Sequence, residues 1–403
     1  MSKLYISTAN CGKAHETDIF GLCVSNPYTA TVSGDGYIKL WQNKLLEGSM
    51  PKEHVLTKFV HKTGLHHVDT FHSLEQGGLE VFLAACVSFS GQLFLYSVDS
   101  TTGQFEELDL LSKSEKLKSY WCVKFFKSDD RTTSHKLVVT DVKGGTLVWD
   151  LNVFRQNGQN QDGEVPQDAA VAGEKDLHLV FLGEIPATEP KFATSVDVSV
   201  KGTVATGFQD GSVVVSQLQT LRPIYNFEGF GIKGTEASSG TVRDVRFSPL
   251  GGLLAVANDS GSYGSVTLYE TQYGERVGNL TVPTHSSQNS IASFTHDGWV
   301  FGLSFNSTGE YLATCGYDGK VRVWDVKQRE RVSTLNISAE DIEQEEDIVS
   351  QDEYGDSLKT PPVMGVSFID KGVRGGIGGD TNEGITCVCL DRSVRWFREA
   401  GGV

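Results

Sequence analysis

Short apolar runs separated by turn-forming residues recur along the chain, and they are clearest between residues 296 and 325. Residues 300–305 and 311–314 are apolar runs of strand length, and residues 320–324 alternate polar and apolar side chains. Residues 306–309 and 317–319, which contain Asn, Ser, Asp and Gly, separate these runs. This pattern is typical of β-strands joined by tight turns. The segment is therefore predicted to form three antiparallel strands.

Four side chains in this segment could satisfy one another by hydrogen bonds. His296 precedes the first strand, Thr314 ends the second, Asp318 lies in the following turn and Trp324 ends the third. Buried polar groups need such partners. The order of these residues is typical of a WD-repeat propeller blade. A matching quartet recurs near the start of the chain, at His15, Thr31, Asp35 and Trp41.

Weaker copies of the same pattern fill the rest of the chain. Third strands are expected to end near positions 41, 96, 149, 216, 269, 324 and 397. These endings predict an all-β fold, a single closed WD-repeat propeller of seven four-stranded blades over residues 1–403, with six or eight blades as alternatives. The last repeat lacks a fourth strand, and residues 4–9 are predicted to supply it, closing the ring and removing open sheet edges.

Two segments lie outside the blade pattern. Residues 155–176 are polar and rich in Gly, Gln and Asp, which predicts a loop between the third and fourth blades. Residues 338–357 hold nine acidic residues and no Lys or Arg, and three apolar residues predict that part of this segment forms a short helix on the propeller. It is either a solvated insertion or a dock for a basic partner.

Composition narrows the classes of function. Lys and Arg number 35 against 51 Asp and Glu, a net charge of −16, which disfavours direct binding of nucleic acid or anionic membranes. We expect neither a signal peptide nor a membrane span, so a cytoplasmic location with a nuclear pool is predicted. The seven scattered cysteines are expected to be reduced and buried.

Candidate chemistry is weak throughout the chain. His61, His66, His67 and His72 are close in sequence, but a metal site is disfavoured because His66 is expected to be the histidine that precedes the first strand of blade two. The His, Thr and Asp sets recur, which favours architecture over a catalytic triad. Residues 229–235 and 374–380 lack the spacing of a phosphate-binding loop. No enzyme, metal or cofactor is therefore predicted.

The remaining functional surface is the rim onto which the loops before the first strands open. Alignment of the first strands puts Phe20, Trp121, Phe301 and Met364 at one equivalent position, with Trp299, Tyr317 and Leu390 at neighbouring loop positions. A cluster of large apolar groups at an entrance favours a protein-binding patch. The alternative is that some of these side chains pack between blades.

Several stretches outside the generic repeat resemble the WD-repeat subunit of the fungal superkiller (Ski) complex. They are residues 58–69, 192–197, 220–227, 283–287, 341–348 and 387–402. The resemblance covers the chain from end to end, apart from the polar insertion at 155–176.

The resemblance implies a non-catalytic scaffold subunit. Its implied partners are a tetratricopeptide-repeat scaffold protein and a DExH RNA helicase that feeds messenger RNA to the exosome for 3′–5′ decay. In some fungi it also implies binding to a meiotic topoisomerase-like protein that makes double-strand breaks. Two other functions remain open from the sequence: an adaptor of a ubiquitin ligase or chromatin complex, and an enzyme or small-molecule binder using the central channel.

Overall fold

The computed structural model describes residues 2–26, 28–43, 54, 56–75, 79–99, 102–128, 134–155, 175–228, 240–282, 294–370, 372–373 and 383–400. These residues form 28 strands, grouped in seven four-stranded antiparallel sheets. Strand β1 spans Tyr5–Cys11 and belongs to the last sheet.

The strands of blades one to four follow in chain order. Blade one comprises β2 (Ile19–Val24), β3 (Tyr28–Ser33), β4 (Tyr37–Gln42) and β5 (Leu56–Phe59). Blade two comprises β6 (Leu65–Glu75), β7 (Leu79–Ser88), β8 (Leu93–Asp99) and β9 (Gln104–Glu107). Blade three comprises β10 (Tyr120–Phe126), β11 (His135–Asp141), β12 (Thr146–Arg155) and β13 (Lys175–Ile185). Blade four comprises β14 (Ala193–Val198), β15 (Thr203–Phe208), β16 (Val213–Gln217) and β17 (Arg222–Phe227).

Blades five to seven complete the series. Blade five comprises β18 (Val242–Phe247), β19 (Leu253–Ser260), β20 (Tyr263–Glu270) and β21 (Arg276–Leu280). Blade six comprises β22 (Val300–Phe305), β23 (Tyr311–Gly316), β24 (Lys320–Asp325) and β25 (Glu330–Asn336). Blade seven comprises β26 (Val363–Ile369), β27 (Gly384–Cys389) and β28 (Val394–Glu399), with β1 as its outer strand.

The first strands of the blades contact one another in a closed cycle. Each first strand lies against the first strand of the next blade, and β26 of blade seven lies against β2 of blade one. The seven first strands therefore surround a central channel. This arrangement confirms the predicted seven-bladed propeller, including its count of blades.

The N-terminal strand closes the ring, as the sequence predicts. β1 pairs antiparallel with β28, with Tyr5 opposite Glu399 and Cys11 opposite Val394. Tyr5 packs in the core between blades six and seven, and Cys11 packs in the core between blades seven and one. The first and last segments of the chain thus share one sheet, which couples both ends to the same fold.

The hydrophobic core is divided among the blade interfaces. The described part of the chain contains seven clusters of buried side chains, and each joins residues from two neighbouring blades. In the interface of blades two and three, for example, Leu83 and Leu95 pack in one cluster with Leu137 and Trp149. Each blade is apolar on both faces because both faces are covered by neighbours. No blade could bury this surface alone, so the ring is the folding unit.

The position predicted for the polar insertion is wrong. β12 ends at Arg155 and β13 begins at Lys175, and these two strands pair within blade three. The insertion therefore joins the third and fourth strands of one blade rather than blades three and four. Runs of polar residues do not reveal which strands flank them, and both strands extend further than the repeat pattern suggests. Residues 156–174 of the insertion lie outside the described residues, as do residues 229–235 and 374–380.

The acidic segment forms two short 3-10 helices, Ala339–Asp341 and Glu345–Asp347, so part of it is helical as the sequence predicts. Ile342 between them is buried, whereas most of the acidic side chains are exposed. The Asn10 side-chain amide donates to the Asp341 carbonyl over 2.7 Å, so the segment lies against the closing strand. Its backbone is held by the propeller while its charge faces solvent, a placement compatible with either role considered for it.

Candidate protein-binding site

Every first strand carries a β-bulge near its start. The register of the pair between first and second strands shifts at this point in all seven blades. A bulge re-aims the side chain of the extra residue and is common beside functional sites. The bulged residues line the mouth of a cavity of about 670 Å³ in the central channel, and they are Phe20, His66, Trp121, Thr194, Arg243, Phe301 and Met364. We call these seven residues the mouth ring.

The mouth ring has an apolar arc formed by blades six, seven, one, two and three. Phe301, Met364 and Phe20 are half-buried, and His66 stacks on Trp121 with ring centroids 4.1 Å apart. Two further aromatic rings extend this arc: Phe89 lies 5.1 Å from Phe20, and Phe192 lies 4.8 Å from Trp121. Aromatic and methionine side chains around one opening are typical of protein-binding surfaces.

The remaining two positions of the ring form a polar arc. The Thr194 hydroxyl donates to the Val242 carbonyl over 2.6 Å, so it is engaged with the backbone of the next blade. Arg243 donates from Nη2 to Asp259 Oδ2 over 2.7 Å, and its guanidinium lies 4.7 Å from the Trp299 ring centroid. Arg243 is thus held in place by a carboxylate and an aromatic face. The ring is therefore apolar on one side and fixed and polar on the other.

One polar atom at the mouth lacks a protein partner. His66 is buried, its imidazole is hydrogen-bonded to the backbone of Ser88, and its Nε2 has no hydrogen-bond partner among the described residues. Burial lowers the pKa of His66 to about 4, so the ring is neutral at pH 7. A neutral imidazole whose other nitrogen carries the proton offers Nε2 as an acceptor. The Nε2 atom is itself buried, so this acceptor is unpaired in the free protein.

Beneath the mouth ring, charged side chains link the first strands. Lys124 Nζ lies 3.2 Å from Asp69 Oδ1 and 3.7 Å from Asp197 Oδ1, and Arg246 Nη1 lies 3.6 Å from Asp197 Oδ1. Arg246 Nε also donates to Asp244 over 3.3 Å. These ion pairs run from blade two to blade five. Because these charges pair with one another, we interpret them as a structural network that joins the first strands.

The two predicted quartets are hydrogen-bonded networks inside their blades. His296 Nδ1 lies 2.8 Å from Asp318 Oδ1, and its Nε2 lies 2.7 Å from the Thr314 hydroxyl, which accepts from Trp324 Nε1 over 3.0 Å. In blade one, the same contacts join His15 to Asp35 at 3.0 Å and to Thr31 at 2.9 Å, with Trp41 donating to Thr31 over 2.9 Å.

The protonation of the first network follows from its burial. Burial lowers the pKa of His296 against the raising effect of Asp318. Burial alone would raise the pKa of Asp318, but the hydrogen bond and charge of His296, together with Arg322, hold it well below its usual range. A neutral imidazole beside an ionised carboxylate has no exposed nucleophile to activate, so the quartet serves the architecture.

The three loop residues predicted to flank the ring differ in position. Trp299 and Tyr317 are exposed, and the Tyr317 ring lies 6.4 Å from that of Phe301, so Tyr317 extends the apolar arc outward, whereas Trp299 packs on Arg243 of the polar arc. Leu390 is half-buried, and its backbone N–H donates to the Pro362 carbonyl over 3.0 Å. Leu390 is not among the described residues that line the cavity. The assignment of all these residues to partner binding stays a prediction.

Sequence reasoning missed His66, Thr194 and Arg243. All three follow the first apolar residue of a first strand, as Phe20 and Phe301 do, so alignment of the strands contained the signal. A search for large apolar side chains does not include a histidine, a threonine or an arginine. The expectation that His66 precedes the first strand of blade two is also wrong, because it lies within β6.

The candidate histidines of the metal hypothesis have separate environments. His61 bonds to the Thr63 hydroxyl at 2.8 Å, and His72 bonds to Glu80 at 2.9 Å. Over the described ranges, no group of three or more His, Cys, Asp or Glu side chains could hold a metal ion. The seven cysteines are free thiols, all buried except the half-buried Cys23. In the same ranges, no helix has the length and apolar character needed to cross a membrane.

Comparisons with known proteins identify the family. A family profile described as "WD domain, G-beta repeat" matches residues 288–325. The chain is 50% identical over 406 residues to Antiviral protein SKI8 of Saccharomyces cerevisiae, and the match covers 100% of both proteins. The chain belongs to the SKI8 family of WD-repeat proteins. This result confirms the resemblance inferred from the sequence.

Other relatives match only parts of this SKI8-family chain. WD repeat-containing protein 1 of Xenopus tropicalis is 34% identical over 149 residues, which cover 36% of this chain and 22% of that protein. Actin-interacting protein 1 of Drosophila melanogaster is 31% identical over 166 residues, which cover 40% of this chain and 23% of that protein. These partial matches are consistent with shared WD repeats, whereas the SKI8 match extends over the whole propeller.

Proposed function

We propose that this SKI8-family propeller is a non-catalytic scaffold subunit that binds partner proteins through the mouth ring. The observation that carries the proposal is the set of seven bulges, one in each first strand, that line one opening. Five of the seven bulged side chains are aromatic, imidazole or thioether groups. Burial of such a surface under a partner is more favourable in free energy than its exposure to water.

The chemistry of the mouth favours a short peptide segment as the bound element. Apolar side chains of the segment would cover Phe20, Phe301 and Met364, which are half-buried in the free protein. The fixed Arg243 would set the orientation of the segment, because it is held by Asp259 and cannot reorient freely.

We further propose that the partners are those of a Ski-type complex. They are a tetratricopeptide-repeat scaffold protein and a DExH RNA helicase, and the complex supports exosome-mediated 3′–5′ decay of messenger RNA in the cytoplasm. Support comes from the full-length identity with SKI8. The net charge of −16 agrees with leaving RNA contact to the helicase. A second role, in a nuclear pool, is binding of the meiotic topoisomerase-like protein that makes double-strand breaks.

An adaptor of a ubiquitin ligase or chromatin complex would use the same ring for other peptides. The two proposals differ only in the proteins that the ring selects. Purification of the tagged full-length chain from vegetative and meiotic cells, followed by mass spectrometry, separates them. The Ski-type proposal expects the tetratricopeptide scaffold and the helicase in both samples and the break-forming protein in the meiotic sample. Ligase or chromatin subunits in their place would contradict it.

The role of the ring itself is tested by Phe301→Glu. Phe301 contacts Tyr317 but is half-buried, so a carboxylate there should abolish recovery of the partners and change the melting temperature little. Trp121→Ala is a less specific test. Trp121 stacks on His66 and makes an edge-to-face contact with Phe192, so its removal should lower stability as well as binding.

The matched control is Tyr273→Glu. Tyr273 is 70% exposed and lies in the turn between β20 and β21, at the opposite end of its blade from the mouth. We expect this variant to recover partners as the wild type does. Equal recovery with Phe301→Glu would place partner binding elsewhere on the propeller.

A further inference from the structure

The outer edge of blade three differs from the outer edges of the other six blades. In a propeller the fourth strand of each blade is the edge of its sheet, with half of its backbone groups directed away from the third strand. Proteins usually protect such edges by keeping them short, charged or interrupted by proline. β5 and β9 have four residues each, β17 begins with Arg222 and Pro223, and β25 begins with Glu330 and Arg331.

Strand β13 has none of these protections along its central part. It is 11 residues long, and the run Leu177–Gly183 within it has no formally charged residue. Among the described outer strands, the others expose at most one large apolar side chain each, namely Ile6, Phe59, Ile224 or Val277. β13 exposes three in succession: Val180 is 51% exposed, Phe181 47% and Leu182 40%.

The consecutive exposure has a geometric cause. Neighbouring side chains of a regular strand point to opposite faces. The register between β12 and β13 shifts between Val148 and Trp149, which pair with Gly183 and Phe181, so Leu182 is the bulged residue. Phe181 lies against Trp149, with ring centroids 5.3 Å apart, and Val180 and Leu182 on either side of it are exposed. Within the described ranges no strand pairs with the outer edge of β13, so this edge presents both backbone groups and apolar side chains.

From this geometry we infer that the β13 edge binds an extended, basic strand of another polypeptide by β-sheet augmentation. An open sheet edge accepts an extended backbone, because only that conformation matches its spacing of donors and acceptors. Val180 and Leu182 then contact alternate apolar side chains of the incoming strand. This surface is separate from the mouth ring, and the inference does not depend on the function proposed for the ring.

Charge identifies the class of occupant. Beside the exposed residues, Lys118 pairs with Glu184 and its Nζ lies 5.9 Å from the Phe181 ring centroid, so these two local charges cancel. The charge that selects an occupant is therefore that of the whole chain. A second copy of this chain, with a net charge of −16, would be repelled. A strand flanked by lysine or arginine is attracted.

The probe for the test is a short fluorescent peptide of alternating valine and threonine with lysine at both ends. Its binding to the full-length chain is measured by fluorescence anisotropy, for the wild type, for the double variant Val180→Lys with Leu182→Lys, and for Ile224→Lys. Ile224 is the matched control because it is an exposed apolar residue of another outer strand, β17. We expect the double variant to weaken binding by at least about tenfold and Ile224→Lys to leave it unchanged.

Two further measurements define the mode of binding. The probe should slow hydrogen exchange of amides in residues 177–183, and a peptide with glutamate in place of the terminal lysines should bind more weakly. Phe301→Glu should bind the probe as the wild type does, so failure of the mouth-ring proposal leaves this result intact. Should the lysine double variant be unfolded by circular dichroism, Val180→Thr with Leu182→Thr replaces it.

Three outcomes would overturn the inference. They are absence of probe binding, equal binding by the wild type and the double variant, and loss of probe binding in Phe301→Glu. Sedimentation equilibrium tests the competing occupant. A wild-type dimer that the double variant abolishes would show that a second copy of the chain covers β13, which contradicts a basic partner strand.

Discussion

At the scale of single residues, the two quartets have the same hydrogen bonds but different charge. Asp35 accepts from the Glu16 and Tyr37 backbone N–H groups over 3.0 and 2.9 Å, in addition to its contact with His15. Asp318 accepts from Arg322 Nη1 over 2.7 Å, and the Arg322 side chain is buried. Asp35 thus accepts hydrogen bonds from neutral donors, whereas Asp318 also neutralises the buried Arg322.

This difference predicts unequal costs for the same substitution. Asp35→Ala leaves neutral donors unsatisfied and should lower the free energy of unfolding by about 1–3 kcal/mol. Asp318→Ala also removes the closer of the two carboxylates beside the buried Arg322, whose Nη2 keeps Asp297 at 3.5 Å, and should cost more, up to about 3–5 kcal/mol. Urea denaturation of both variants measures the two values. Equal losses would mean that Arg322 finds another partner or reaches solvent when Asp318 is removed.

His66 predicts a pH dependence of stability. Its pKa is lowered by burial to about 4 in the folded chain, against about 6.5 for an unfolded histidine. Between these values the unfolded state binds one more proton, so the contribution of His66 is intact above pH 6.5 and is lost as the pH falls toward 4, by about 3 kcal/mol in all.

The variant His66→Gln isolates this contribution from those of other titrating groups. Free energies of unfolding measured between pH 4.5 and 6.5 should fall more steeply in the wild type than in the variant, by about 1.4 kcal/mol per pH unit. Parallel pH profiles would show that the imidazole becomes protonated in the folded chain, and that His66 Nε2 is not the buried acceptor proposed for the mouth ring.

At the scale of elements, side chains of the first strands accept hydrogen bonds from the backbone of the next blade. Asp69 accepts from the Phe125 N–H over 2.7 Å, Asp197 from the Phe247 N–H over 2.7 Å and Asp244 from the Leu303 N–H over 2.9 Å. In blade six the Ser304 hydroxyl accepts from the Phe368 N–H over 3.0 Å. These contacts fix the height of one first strand against the next, which aligns the bulges of the mouth ring.

Among these residues, Asp197 lies beside two cations, Lys124 and Arg246. Asp197→Ala removes the acceptor of the Phe247 N–H and should lower the free energy of unfolding by about 3–5 kcal/mol. Asp197→Asn keeps an oxygen acceptor, so a smaller loss is expected. The control is Asp109→Ala, whose exposed pair with Lys116 should contribute about 0–1 kcal/mol. Urea denaturation that ranks Asp109→Ala with Asp197→Ala would contradict the network.

At the scale of the whole molecule, stability depends on closing the ring. β1 covers the edge of β28 and contributes side chains to two blade interfaces. The side-chain ammonium of Lys3 also bonds to Glu399 over 3.1 Å. Because the cores lie between blades, an unclosed ring would lose cover on both blade seven and blade one.

Deletion of residues 1–11 should therefore lower the melting temperature strongly and promote aggregation through the exposed edge of β28. A synthetic peptide of residues 1–13, added in excess, should restore part of the lost stability, because it can pair with the same edge. Calorimetry and light scattering measure both effects. A truncated chain that melts at the wild-type temperature would show that blade seven is stable with three strands.

The sequence by itself determined the repeats, the blade count, the quartets and the N-terminal closure. These features depend on turns and strand alternation within one repeat, or on matching the two ends of the chain, so their signals are local. The same kind of local signal identifies four of the seven residues of the mouth ring. Their equivalence is a property of each first strand considered alone.

Tertiary structure alone decided how the blades meet. The ion pairs of Lys124 and Arg246 join different first strands, and the orphaned Nε2 of His66 arises because Trp121 from the next blade covers its ring. The exposed edge of β13 depends on a bulge opposite Trp149 and on the length of two paired strands. Such contacts join residues far apart in sequence through the curvature of the ring, and a pattern within one repeat does not encode that curvature.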